Sequence, residues 1–155
     1  MRVAITTTLV LLVIMLTAGC GGGGGNGTSL PPGTLAQSTD GKVAILGNAS
    51  AVPAGVSLSV QSKQATQLSP APSGTAFVAG ALVSPANTVF NQPVTIKFIL
   101  SSPLAAGEDV DLFHVVSGNW LQVNGTVVNI ASDRLSVSVQ INRVSADGQF
   151  ALLKI

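Results

Sequence analysis

Charge is scarce in this sequence: charged residues make up 8% of its 155 positions, against about 25% in an ordinary soluble domain. Seven Lys and Arg nearly cancel six Asp and Glu. The basic residues are Arg2, Lys42, Lys63, Lys97, Arg134, Arg143 and Lys154, and no two are adjacent. That scatter excludes nucleic acid as a partner, because displacing counterions from phosphates needs a clustered basic footprint. A single cysteine, Cys20, excludes an internal disulfide and a cysteine-built metal site. Tyrosine is absent, and His114 is the only histidine, so any histidine-dependent chemistry has one residue to work with. A hydrophobic share of 46% argues against disorder throughout, and the length suits one domain.

The N-terminus is organised as an export signal. Met1-Arg2 is a short positive start, and Val3 to Leu16 is an apolar run softened by Thr6, Thr7 and Thr8. The run is shorter than the roughly 20 residues a bilayer-spanning helix needs, and small residues follow it, as in a secretory signal. Leu16-Thr17-Ala18-Gly19-Cys20 resembles the lipobox of bacterial lipoproteins. One departure from that pattern is Thr17, which stands where the family usually has Leu. The resemblance implies cleavage between Gly19 and Cys20 and acylation of the Cys20 thiol. It also implies attachment to the membrane through that lipid, since two or three acyl chains hold firmly where one binds marginally. Removing residues 1–19 takes Arg2 away and leaves basic and acidic side chains in balance.

Gly21 to Gly25, continued by Asn26-Gly27-Thr28-Ser29-Leu30-Pro31-Pro32-Gly33, reads as a mobile tether. As a flexible coil it has a reach of roughly 20 Å. It lacks the Gly-Lys-Ser/Thr ending of a phosphate-binding loop. In lipoproteins, Asp directly after the cysteine commonly retains the chain at the inner membrane. Gly21 stands there instead, which points to the outer membrane in a cell that has two.

From residue 40 onward the pattern has period two. Val56, Leu58 and Val60 alternate with Ser57, Ser59 and Gln61, and Leu135, Val137, Val139 and Ile141 alternate with Ser136, Ser138 and Gln140. Such alternation puts apolar side chains on one face of a strand and hydroxyls and amides on the other, which accounts for the scarcity of charge. Val94–Leu100 alternates less cleanly, and further strands are predicted at Lys42–Leu46, Thr75–Val83, Val110–Val116, Trp120–Val123, Thr126–Ile130 and Gln149–Lys154. Asn124-Gly125 reads as a hairpin turn. No long window carries a helical stripe. The expectation is an all-β, antiparallel sandwich over residues 40–155, preceded by a signal at 1–19 and an acylated cysteine with its tether at 20–39.

A second resemblance lies in Gly74-Thr75-Ala76-Phe77 and in Ser84-Pro85-Ala86-Asn87-Thr88-Val89-Phe90-Asn91-Gln92-Pro93-Val94-Thr95-Ile96. A strand, a Ser-Pro turn, a phenylalanine and a Pro-Val opening resemble the ZU-five domain, a β-sandwich of ankyrins, netrin receptors and zonula-occludens proteins. Trp120 suits the tryptophan found later in such modules. Unrelated immunoglobulin-like sandwiches share this turn chemistry. The resemblance implies a binding or scaffolding module. Some relatives cut their own chain at His-Phe-Ser; here Arg143-Val144-Ser145 stands in that place, and an arginine cannot act as the base.

Chemistry-bearing residues are few. His114 with Asp109 or Asp111 and a serine is a conceivable triad, but no Gly-x-Ser-x-Gly elbow is present. Glu108, Asp109 and Asp111 form the only acidic cluster, a partial set for calcium, which takes six to eight oxygens. Trp120, with Phe77, Phe90, Phe98, Phe113 and Phe150, is the one candidate for a sugar-binding surface. The sequence therefore predicts a non-catalytic, cofactor-free, lipid-anchored protein of the bacterial cell envelope that binds or scaffolds an envelope protein partner. The alternative is a module for glycan or calcium, using Trp120 or Glu108, Asp109 and Asp111.

Overall fold

The computed structural model describes residues 30–155; Cys20, Gly19 and the rest of the expected signal lie outside that range. Within that range, ten strands form two antiparallel sheets of five. The first sheet runs, in spatial order, β1 (Thr34–Gln37), β2 (Val43–Leu46), β5 (Val89–Ile99), β9 (Ser136–Arg143) and β8 (Val128–Ile130). The second runs β3 (Ser59–Lys63), β4 (Ala76–Ser84), β10 (Gln149–Lys154), β6 (Val110–Val116) and β7 (Asn119–Gln122). Among the described residues, helix is confined to two single 3-10 turns, Ala49–Ala51 and Ala65–Gln67. No helix among the described residues is long and apolar enough to cross a membrane.

The sheets meet where the period-two pattern places the apolar residues. Val43 and Ile45 of β2, Val94, Ile96 and Phe98 of β5, and Val137, Val139 and Ile141 of β9 point inward. They pack against Val83 of β4, Val110 and Leu112 of β6, and Phe150 and Leu152 of β10. Full burial of each of the larger side chains stabilises by about 1.5–3 kcal/mol relative to exposure. On the reverse of the first sheet, Thr95 opposes Gln140 and Lys97 opposes Ser138, so that face is dressed in hydroxyls and amides.

Three differences from the sequence reading have physical causes. Residues 34–39, predicted as the end of the tether, hold β1 and part of its turn into β2, because Ala36 is buried beside Ile45. β5 begins at Val89, five residues before the alternating run that starts at Val94, so Pro93 lies inside the strand; the register jumps between Val89 and Val94, and this bulge accommodates a residue without an N–H. Asn124-Gly125 is not a hairpin turn. β7 and β8 belong to different sheets, so the segment crosses from one to the other, and of the two residues only Gly125 has positive φ. The two-residue hairpin is Ser117-Gly118, between Val116 and Asn119, with φ of 52° and 78°. Positive φ at both positions is the geometry that matches strand twist.

β10 departs from simple alternation: Phe150, Ala151, Leu152 and Leu153 are all buried. Phe150 and Leu152 face the sandwich core, while Ala151 and Leu153 join Phe113 on the reverse of the second sheet. That reverse face is roofed by the loop between β3 and β4, whose Leu68 packs there with Phe77 and Trp120. The roof sits close because β4 has no side chain at Gly80. A Cβ there would lie 2.4 Å from Leu68 Cδ1 and 3.1 Å from the Lys63 carbonyl oxygen. Gly80→Ala is expected to destabilise the domain by about 1–3 kcal/mol, the cost of overpacking, read as a lower urea midpoint. Adding Leu68→Ala removes the clashing atom, so the double variant loses less than the sum of the two single losses.

Candidate functional site

Trp120 anchors the roof. It sits on β7, half-buried against Phe113, Ala151 and Leu153, and its indole Nε1–H donates to the Ser69 carbonyl at 3.0 Å. On the other side of the same residue, the Ser69 N–H donates to Oε1 of Gln149 at 3.0 Å. Both peptide groups of Ser69 are thus held by side chains rising from the second sheet. The indole N–H of Trp120 is engaged within the fold.

The acidic cluster divides. Glu108 accepts from the Ala105 N–H at 2.6 Å and pairs with the Lys154 ammonium. Those two donors, Lys154 first, hold its carboxyl below the ordinary range. Asp111 lies on β6 and accepts from Gln122 Nε2 at 2.6 Å, across the pair β6–β7. Asp109 is exposed in the turn that precedes β6. Among the described residues, no three His, Cys, Asp or Glu gather in a group able to hold a metal ion.

His114 faces the space between the sheets, its ring 6.3 Å from that of Phe150 and tilted by 32°. Burial, and secondarily the positive charge of Arg143, push its pKa below the ordinary value. Ser145 is buried, and its hydroxyl donates to the Gln149 carbonyl at 3.2 Å. His114 and Arg143 share an open cleft of about 520 Å³ with Leu121, Asn124, Ile141 and Phe150. A second cleft of about 230 Å³ adjoins it, lined by Val127, Gly125 and Gln140, and both include Val123, Asn124, Ile141 and Asn142.

Two charged residues to which the sequence reading gave no role organise the loops. Asp40, in the β1–β2 turn, accepts from the hydroxyls of Ser62 and Ser38 and from the Lys42 N–H. Since Ser62 belongs to β3, this carboxylate ties an edge of one sheet to an edge of the other. The two hydroxyls lower its pKa from 3.8 to about 2. Arg134, at φ 56°, donates from Nε to the Leu104 carbonyl and from its terminal nitrogen to the Glu108 carbonyl, both at 2.8 Å. It thereby fixes the long connection between β5 and β6. The only sequence signal for either role is a charge in a segment between strands.

No family model matches the chain, and no curated protein is significantly similar to it.

Two outcomes follow from these contacts. Trp120 is the only tryptophan, so its emission reports on the roof: Leu68→Ala is expected to shift it to the red and increase its quenching by iodide. For Asp40, stability from the depressed pKa is present above about pH 4 and fades as pH falls through about 2. Asp40→Asn is therefore expected to be less stable than the parent at pH 7, with the difference shrinking towards pH 2 in urea titrations.

Proposed function

We propose that this chain is a lipid-anchored protein of the bacterial cell envelope whose sandwich serves as a non-catalytic protein-binding module. Cys20 carries the lipid, and the tether sets the domain off from the membrane. The observation that carries the binding role is the side of the sandwich formed by β7 and β8. Leu121 is 50% exposed and Val127 is 69% exposed, and each lines one of the two adjoining clefts. Leu121 lies in β7 and Val127 directly precedes β8, and each of these strands ends its sheet. Pairing of β8 with β9 stops at Val128 and Val139, so Gln140 to Arg143 run on beyond their neighbour. A sheet edge flanked by exposed apolar side chains, with Arg143 as the charge at its end, is a template for a partner chain. The resemblance of residues 74–96 to the ZU-five sandwich supports a binding role in the same direction. Glycan or calcium binding draws no such support, because Trp120, Glu108 and Asp111 already have partners within the fold.

The test is crosslinking in intact cells, followed by purification through a carboxy-terminal tag and mass spectrometry. One envelope protein is expected in stoichiometric amount, lost with Val127→Lys and reduced with Cys20→Ala. The same Cys20→Ala chain is expected in the aqueous phase of a detergent partition, where the parent enters the detergent phase. Recovery of the same protein at the same level with Val127→Lys would overturn the assignment of the edge.

A further inference from the structure

The cleft shared by His114 and Arg143 has properties that the protein-binding edge does not require. Its volume of about 520 Å³ falls within the roughly 300–1,000 Å³ of small-ligand sites. Arg143, at the end of β9, forms no hydrogen bond or ion pair through its guanidinium among the described residues. Of the chain's six acidic side chains, none lines the cleft. The carboxylates nearest in sequence are committed elsewhere: Asp111 to Gln122, and Asp147 to the Gly118 N–H.

The cleft therefore presents a positive charge with no counter-charge, beside an imidazole and the amides of Asn124 and Asn142. Burial and the Arg143 charge both keep His114 towards its neutral form, so the resident charge near pH 7 is one. A guanidinium fork matches the two oxygens of a carboxylate, and a single positive charge is balanced by a monoanion better than by a dianionic phosphate. The remaining wall is apolar: Ile141 and Phe150 form the floor, and Leu121 stands half-exposed at the rim.

We propose that this cleft binds a carboxylate carried on a short apolar stem, the carboxylate on Arg143 and the stem against Leu121, Ile141 and Phe150. That chemistry is offered by the carboxyl terminus of a peptide ending in an aliphatic residue and by a free branched-chain acid. The site overlaps the protein-binding edge at Leu121 and Arg143 and is told apart from it through Val127, which lines only the neighbouring cleft.

The experiment uses the imidazole resonances of His114, which as the only histidine gives one unambiguous set. The folded protein is titrated at constant pH with N-acetyl-leucine, with 4-methylpentanoate and with N-acetyl-leucinamide. Saturable shifts are expected with the two carboxylates and none with the amide. Tighter binding of N-acetyl-leucine identifies the peptide terminus as the source, and tighter binding of 4-methylpentanoate identifies the free acid. Arg143→Gln is expected to weaken binding about tenfold or more, the loss of a charge-assisted bidentate contact. Leu121→Asp, at an exposed position, is expected to abolish it while the urea midpoint stays near the parent value. Val127→Gln, a neutral change at a residue that lines only the neighbouring cleft, is expected to leave the titration unchanged. Absence of carboxylate shifts, equal binding of the amide, or undiminished binding by a folded Arg143→Gln protein would each overturn the proposal.

Discussion

Burial of β10 on both faces is the constraint from which the rest of the architecture follows. One face, Phe150 and Leu152, completes the sandwich core. The other, Ala151 and Leu153, leaves apolar area on the reverse of the second sheet that a two-sheet sandwich does not cover by itself. The β3–β4 loop supplies the cover, and its approach sets further conditions. Gly80 must lack a side chain beneath Leu68, and the polar backbone of the loop must find partners over an apolar surface. Ser69 meets that demand with both its N–H and its carbonyl. An unsatisfied buried peptide group costs about 1–3 kcal/mol, so Gln149 and Trp120 contribute chiefly by removing that penalty. The tryptophan is thus explained as structure before any ligand is considered.

The two faces of the molecule consequently differ in kind. The reverse of the second sheet is roofed, whereas the reverse of the first is dressed by Thr95, Lys97, Ser138 and Gln140. Neither presents a broad apolar surface. The few charges act mainly on loops: Asp40 ties the β1–β2 turn to β3, and Arg134 holds carbonyls of the β5–β6 connection. In a chain this poor in charge, ionised groups serve as fixed points for irregular backbone, where charge-assisted hydrogen bonds are stronger than neutral ones. The side formed by β7 and β8 is left with exposed apolar residues and a free cation together.

Much of the fold was legible in the sequence where one physical signal dominated. β5 and β9 alternate because each has one buried face, and the two-sheet architecture follows from several such strands. Legibility failed where signals competed. The run Phe150 to Leu153 has no alternation because both faces are buried, and only tertiary context tells which residues point where. Asn124-Gly125 carries the strongest local hairpin composition, yet the chain uses it to change sheets, while Ser117-Gly118 makes the actual hairpin. Turn composition specifies φ, but not which strands the turn will join. The start of the domain is hidden for a related reason: β1 is four residues long, and Ala36 is its one buried side chain.

The candidate sites were legible as residue types and not as neighbours. Glu108, Asp109 and Asp111 are close in sequence, but only Asp111 lies within β6, and Lys154 and Gln122 approach from different strands to take two of them. His114 and Arg143 are far apart in sequence and opposed across the sandwich only because β6 and β9 lie in facing sheets. No spacing rule links them. Their juxtaposition next to a sheet edge is a property of the topology: the chain passes from β7 to β8 by crossing between sheets, and the short β8 ends before β9 does. A longer β8 would have paired Gln140 to Arg143 and covered this side, as edge strands do when a sandwich is closed. The brevity of one three-residue strand is what leaves the cleft, and the charge within it, open to solvent.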